Sequence, residues 1–157
     1  MGTNVTPYGK RELWALLSQA SNALGRVADS ELSQVGISMM QAAVLVFVKN
    51  SKEPVIPAHI SRWLFREPHT VSQLLMRMEK QGLVKRTKNL DRKNQVRITL
   101  TEKGEKAFQQ QSEMRGIGRI LSVLTPEECN KLGASLKKLR DEAIKELDTR
   151  PRHLPFP

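Results

Sequence analysis

Apolar residues recur at helical spacing from residue 10 onward. Leu13, Trp14, Leu17, Leu24, Val27, Ala28 and Leu32 fall at intervals of three, four and seven, which predicts a helix over 10–34. Gly36 ends or follows it. Ser38, with Gln41 three residues later, forms a capping-box pattern and opens a helix over 38–49. That helix is apolar nearly all round from Ala42 to Val48, so it belongs at the buried centre. Pro54 and Pro57 bracket Val55 and Ile56, a connection with room for a very short strand. A short helix over 57–64 follows, with Ile60 and Leu64 inward, and Phe65 to Glu67 make a turn. Pro68 suits the first position of a helix over 68–81 whose inward stripe is Val71, Leu74, Leu75 and Met78, and Gly82 stops it.

The period then changes from helical to alternating. Residues 83–87 and 95–100 alternate β-branched with basic or polar side chains, and 88–94 is a polar loop rich in turn formers. Together they predict a β-hairpin with a charged tip. Thr101 caps a long helix reaching about Val123. Thr125-Pro126-Glu127-Glu128 joins an N-cap, a proline at N1 and a glutamate at N3, a strong start for a last helix to Leu147. Its stripe is Cys129, Leu132, Leu136, Leu139, Ala143 and Leu147. The residues after it hold three prolines and predict an irregular tail over 149–157. The fold class expected is mainly α with a small β-hairpin wing, a single domain over 1–157. Residues 38–100 form its compact middle, a winged helix-turn-helix. The helices over 10–34 and 101–148 keep apolar faces that this middle does not cover, and burial against a twofold mate is the simplest solution.

Charge sharpens this layout. The 157 residues carry 26 Lys plus Arg against 16 Asp plus Glu, a formal +10. Residues 61–97 hold ten bases and three acids, so +7 of the +10 lies in 37 residues. Residues 126–148 hold five bases and six acids and nearly cancel. A basic stretch beside a neutral helical one reads as a binding element on a scaffold, with a polyanion as first partner. One cysteine excludes an internal disulfide and a cysteine-based zinc finger. His59, His69 and His153 are too scattered for a recognisable metal site, and no cofactor is implied. The longest apolar run, Ala42–Val48, is too short to span a membrane, and Met1–Lys10 lacks the apolar core of a secretion signal. The expectation is a cytoplasmic protein with no membrane partner. No nucleophile–base pairing, phosphate-binding glycine loop or metal spacing points to an enzyme.

Three short helices followed by a basic hairpin is the order of a winged helix-turn-helix, whose second helix lies in the major groove of double-stranded DNA. The helix over 68–81 offers His69, Thr70, Ser72, Gln73 and Arg77 on its outward side. Gln73 suits adenine and His69 suits guanine or phosphate, while Thr70 and Ser72 lie where first-turn N–H groups favour phosphate. Arg77 and Lys80 lie further along, at backbone positions. Arg92 and Lys93 suit a narrow minor groove, and Arg62 and Lys88 suit phosphates. Arg97, on the second strand, completes the basic set.

The run from Val71 through Gly82-Leu83-Val84, the wing, Leu100-Thr101-Glu102-Lys103-Gly104 and Leu124-Thr125-Pro126-Glu127-Glu128 resemble the multiple-antibiotic-resistance regulator (MarR) family over about residues 10–148. The resemblance implies a homodimeric transcription regulator, usually a repressor, on a pseudo-palindromic operator. It implies that the first and last two helices intertwine with a second subunit. The family's recognition positions fall on Glu67, His69, Thr70, Ser72 and Gln73, with Pro68 between them, and the wing tip on Asp91 to Asn94. Some relatives respond to a small aromatic or lipophilic effector. Two departures stand out. Many members place an Asp two or three residues before paired arginines; here Asp91-Arg92-Lys93-Asn94 leaves both Arg92 and Lys93 as groove candidates. Many begin the recognition helix with small hydroxyl residues; here Glu67-Pro68-His69 stands there, implying a different operator preference.

Plainer roles compete for several residues. Cys129 on its apolar stripe reads as a buried structural thiol, Trp14 and Trp63 as core or interface packing, and Met76 as a partly exposed methionine. The competing function is a sequence-tolerant, architectural DNA binder of the same fold without effector response. The uncharged polar residues along 68–81 weigh against it, since a purely electrostatic binder needs mainly Lys and Arg.

Overall fold

The structure is a computed structural model that describes residues 8–88, 96–113 and 115–147. The elements run α1 (Lys10–Val35), α2 (Met39–Asn50), α3 (Pro57–Leu64), α4 (Pro68–Lys80), β1 (Val84–Lys88), β2 (Val96–Leu100), α5 (Glu102–Ser112), α6 (Arg115–Leu121) and α7 (Pro126–Glu146). The local signals place most boundaries. Ser38 Oγ accepts from Gln41 N–H at 3.3 Å and Gln41 Oε1 accepts from Ser38 N–H at 2.9 Å, so the two residues close the start of α2 reciprocally. Gly36 and Gly82 end α1 and α4 with φ of 75° and 73°. The Thr125–Glu128 capping box opens α7.

The core sits in the middle of the chain. Val44, Leu45 and Phe47 of α2, Ile60 of α3, and Val71, Leu75 and Met78 of α4 are all buried. Each such side chain stabilises the fold by about 1.5–3 kcal/mol through removal from water. β1 and β2 pair antiparallel, with Val84 opposite Leu100 and Lys88 opposite Val96. Val55 adds a single bridge to Ile98, whose N–H donates to the Val55 carbonyl at 2.8 Å. This is the very short strand that the two prolines leave room for. Pleating puts Val84, Ile98 and Leu100 on the side facing the core.

Two expectations are corrected. The helix expected from Thr101 to about Val123 is broken into α5 and α6. Glu31 of α1 explains the restart: its Oε1 accepts from Gly116 N–H at 2.7 Å, and a Cβ on Gly116 would stand 2.8 Å from that oxygen. α1 and α6 therefore meet at a glycine, where an added Cβ would press on the Glu31 carboxylate and stand 3.0 Å from Val27 Cγ1. Cys129, expected to be buried, is exposed, because α7 buries none of its residues within one chain. Leu132, Leu136 and Leu139 of α7 and Leu13, Trp14 and Leu17 of α1 are likewise exposed, Trp14 to 71%. Trp63 is half-buried and packs on Phe47, ring centroids 5.3 Å apart.

Candidate nucleic-acid interface

α4 is amphipathic by construction. Val71, Leu74, Leu75 and Met78 face the core, which turns His69, Thr70, Gln73, Met76, Arg77 and Lys80 outward as one exposed stripe. Pro68 holds N1, and Glu67 is the N-cap, although its carboxylate makes no capping bond. The first-turn N–H groups are therefore open to an outside acceptor. His69 and Thr70 touch each other weakly, Nε2 to Oγ1 at 3.4 Å. Ser72 departs from the expected stripe: it lies to one side and is half-buried. Gln73, Met76, Arg77 and Lys80 line a shallow depression on the helix surface.

The flanking elements extend the positive surface. Arg62 on the last turn of α3, Arg66 in the turn before α4, and Lys80 are exposed. The β1–β2 register places Lys85 and Arg97 on the outer face and Arg86 and Lys88 on the opposite one. Lys88 and Arg97 thus do not share a face. Arg86 is turned back toward α4: its N–H donates to Glu79 Oε1 at 3.1 Å and its guanidinium lies 3.9 Å from Glu79 Oε2. That contact ties the C-terminal half of α4 to the root of the hairpin. Arg92 and Lys93, the expected wing-tip contacts, lie outside the described residues.

α3 carries a titratable neighbour of this surface. Partial burial, and then the Arg62 guanidinium, hold the His59 imidazole below its ordinary pKa. Among the described residues no three His, Cys, Asp or Glu side chains group as metal ligands, and no single helix is long and apolar enough to cross a membrane. Sequence reasoning missed Phe65, which is exposed in the α3–α4 turn. Its backbone is left-handed, a conformation usually signalled by glycine, so no residue type announces it.

Comparison with known proteins bears on this surface. The family model described as MarR family matches residues 35–93, the span from the end of α1 into the hairpin. The uncharacterized HTH-type transcriptional regulator YfiV of Bacillus subtilis (strain 168) is 28% identical over 130 residues, covering 82% of this chain and 81% of that protein. The organohalide-sensing RdhR-CbdbA1625 transcriptional regulator in its ligand-free form is 30% identical with a TM-score of 0.81, over 100% of this chain and 96% of that one. Its 2,4-dichlorophenol-bound form gives a TM-score of 0.76 at 28% identity, over 96% and 94%. A mutant MarR from E. coli complexed with operator DNA shares the fold, with a TM-score of 0.72 at 24% identity over 81% of this chain and 92% of that one. The middle of the chain, the hairpin that follows it and the near full-length similarity agree: the chain belongs to the MarR family of winged-helix, DNA-binding transcription regulators.

Proposed function

We propose that this regulator is a repressor that binds a pseudo-palindromic operator as a homodimer. α4 lies in the major groove and the wing, residues 88–94, lies at the minor groove. The outward stripe of α4 carries this reading: Thr70 and Gln73, with His69, supply base-reading groups, and Arg77 and Lys80 supply phosphate contacts. Glu67, Pro68 and Ser72 frame the first turn, and Arg62, Lys88, Arg92, Lys93 and Arg97 add phosphate or minor-groove contacts. The exposed leucines of α7 and the apolar face of α1 support a twofold mate covering them. Residues 10–34 and 101–148 then form the dimerisation region around the DNA-binding middle, 38–100.

Release by a small aromatic or lipophilic ligand is supported by the similarity to a regulator whose 2,4-dichlorophenol-bound form is known. Such a ligand acts by preferring a spacing of the two recognition helices that does not fit DNA. The cytoplasm, where the DNA is, is the compartment that fits.

Selection of bound duplexes from a random pool, followed by sequencing, tests the reading. The expected result is an inverted repeat with half-sites about one helical turn apart, roughly 10 base pairs. Gln73→Ala relaxes preference at one position of each half-site, whereas Arg77→Ala weakens all sequences alike. Recovery of unrelated sequences with no repeat would instead favour the architectural binder.

A further inference from the structure

The turn between α3 and α4 holds a side chain that the fold itself does not use. α3 ends in a complete Schellman closure: Phe65 N–H donates to the Arg62 carbonyl at 3.3 Å, and Arg66 N–H donates to the Ser61 carbonyl at 3.0 Å. The buried Ser61 hydroxyl donates to the Arg66 carbonyl at 2.6 Å and fixes the loop from below. These three bonds hold residue 65 at φ 52° and ψ 43°, where a Cβ crowds its own backbone and glycine is the usual occupant. Among the described residues Phe65 is the one non-glycine with positive φ.

A strained phenylalanine is ordinarily repaid by burying its ring. Here the residue is 49% exposed, and Phe65 is not among the side chains packed on the core. Its surroundings are cationic. Arg62 precedes it by three residues and Arg66 follows it, both exposed, and neither is in an ion pair among the described residues. Glu67, Pro68, His69 and Thr70 continue the exposed surface directly onto the outward stripe of α4. Phe65 therefore stands in the turn that leads into that stripe, flanked along the chain by two exposed arginines.

We propose that Phe65 is an apolar contact to double-stranded DNA, its ring lying on a deoxyribose at the rim of the major groove between phosphates held by Arg62 and Arg66. The proposal rests on α4 being the recognition helix. The chemistry matches piece by piece. Guanidiniums take phosphate oxygens in two-pronged fashion, and the sugar between two phosphates is the apolar part of the backbone. An aromatic ring has two side-chain torsions, so it loses little freedom when a contact orders it. A sugar contact reads no sequence, and an uncharged ring releases no counterions.

The test uses the full chain and fluorescence anisotropy with two duplexes, one selected from a random pool and one of random sequence, from about 50 to 200 mM salt. Phe65→Gly removes the ring and suits the left-handed backbone. It should melt no lower than the parent, bind both duplexes about tenfold more weakly, and leave the slope of log K against log salt unchanged. Phe65→Tyr should recover parental affinity to within about twofold, because the ring face is restored. Arg66→Ala should lower the salt slope by about 0.9, one phosphate. Unchanged affinity of Phe65→Gly on duplexes that the parent binds would overturn the proposal and leave the role of α4 standing. Loss confined to the selected duplex would also overturn it, because the ring would then be reading a base. A melting temperature several degrees lower would overturn it in favour of a packing role. A parent that binds neither duplex would remove the underlying reading itself.

Discussion

Gly104→Ala puts the joint between hairpin and α5 under direct test. Gly104 lies in the first turn of α5, where its N–H donates to Thr101 Oγ1 at 3.0 Å. An added Cβ would stand 2.0 Å from the Leu83 carbonyl oxygen and 3.0 Å from its carbon. Ordinary contact needs about 3.5 Å, so the helix start and the strand must separate by well over 1 Å. The same carbonyl accepts the Thr101 N–H and the Thr101 hydroxyl, each at 3.2 Å. Weakening those bonds costs about 1 kcal/mol each, and the crowding adds about 1–3 kcal/mol. Alanine's better helix propensity returns about 1 kcal/mol. The expected net loss is about 3 kcal/mol, a fall in Tm of about 6–12 °C for a chain of this size. Urea unfolding followed by circular dichroism at fixed protein concentration measures it. A variant that is neutral, or stabilised by about 1 kcal/mol as at an open helix position, would refute the close approach of α5 to Leu83.

Three further outcomes follow from other parts of the molecule. Leu136→Glu, on the exposed face of α7, should weaken self-association at least 100-fold, since opposing a buried apolar surface with a carboxylate costs about 3 kcal/mol or more; sedimentation at micromolar and nanomolar concentration reads it, and an unchanged mass would remove α7 from the interface. His59 has a folded-state pKa below its unfolded value, so the unfolded chain binds more protons; stability contributed there is present above about pH 6.5 and is lost as pH falls toward the folded value. His59→Gln should abolish that part of the pH dependence in urea midpoints measured between pH 5 and 7.5, and an unaltered profile would assign it elsewhere. Thr125→Ala removes the side chain that accepts from Glu128 N–H, and should destabilise the start of α7 by about 1 kcal/mol, seen as faster amide exchange in its first turn than in α2.

What was legible in the sequence was what neighbours in the chain decide. Ser38 with Gln41, Gly82 after Lys80, and Thr125-Pro126-Glu127-Glu128 each act within a single turn, and each sets its boundary where expected. The stripe of α4 was legible too, apart from Ser72, because Val71, Leu74, Leu75 and Met78 leave only one way for the helix to face. The α5–α6 break was not, since it depends on Glu31 meeting Gly116 from 85 residues away. Phe65 was hidden because hydrogen bonds to the Ser61 and Arg62 carbonyls and from the Ser61 hydroxyl, not a glycine, impose its left-handed turn. Cys129 was misplaced because an apolar stripe says that a face is to be covered and not that the same chain covers it.

A helix with no fully buried residue has consequences for abundance. α7 spans 21 residues, and within one chain only Arg140, Asp141 and Ile144 are even half-buried, while its capping box and exposed ion pairs such as Glu127–Lys131 and Glu142–Lys145 add local support. Local terms of that size leave an isolated helix marginal in water. With the twofold mate proposed above covering it, its order becomes a function of how many copies of the chain are present: dilute, the helix should fray and its leucines meet proteases; concentrated, it should be held. The melting temperature should climb with protein concentration, and in a cell the level of this protein would then help to set its own lifetime.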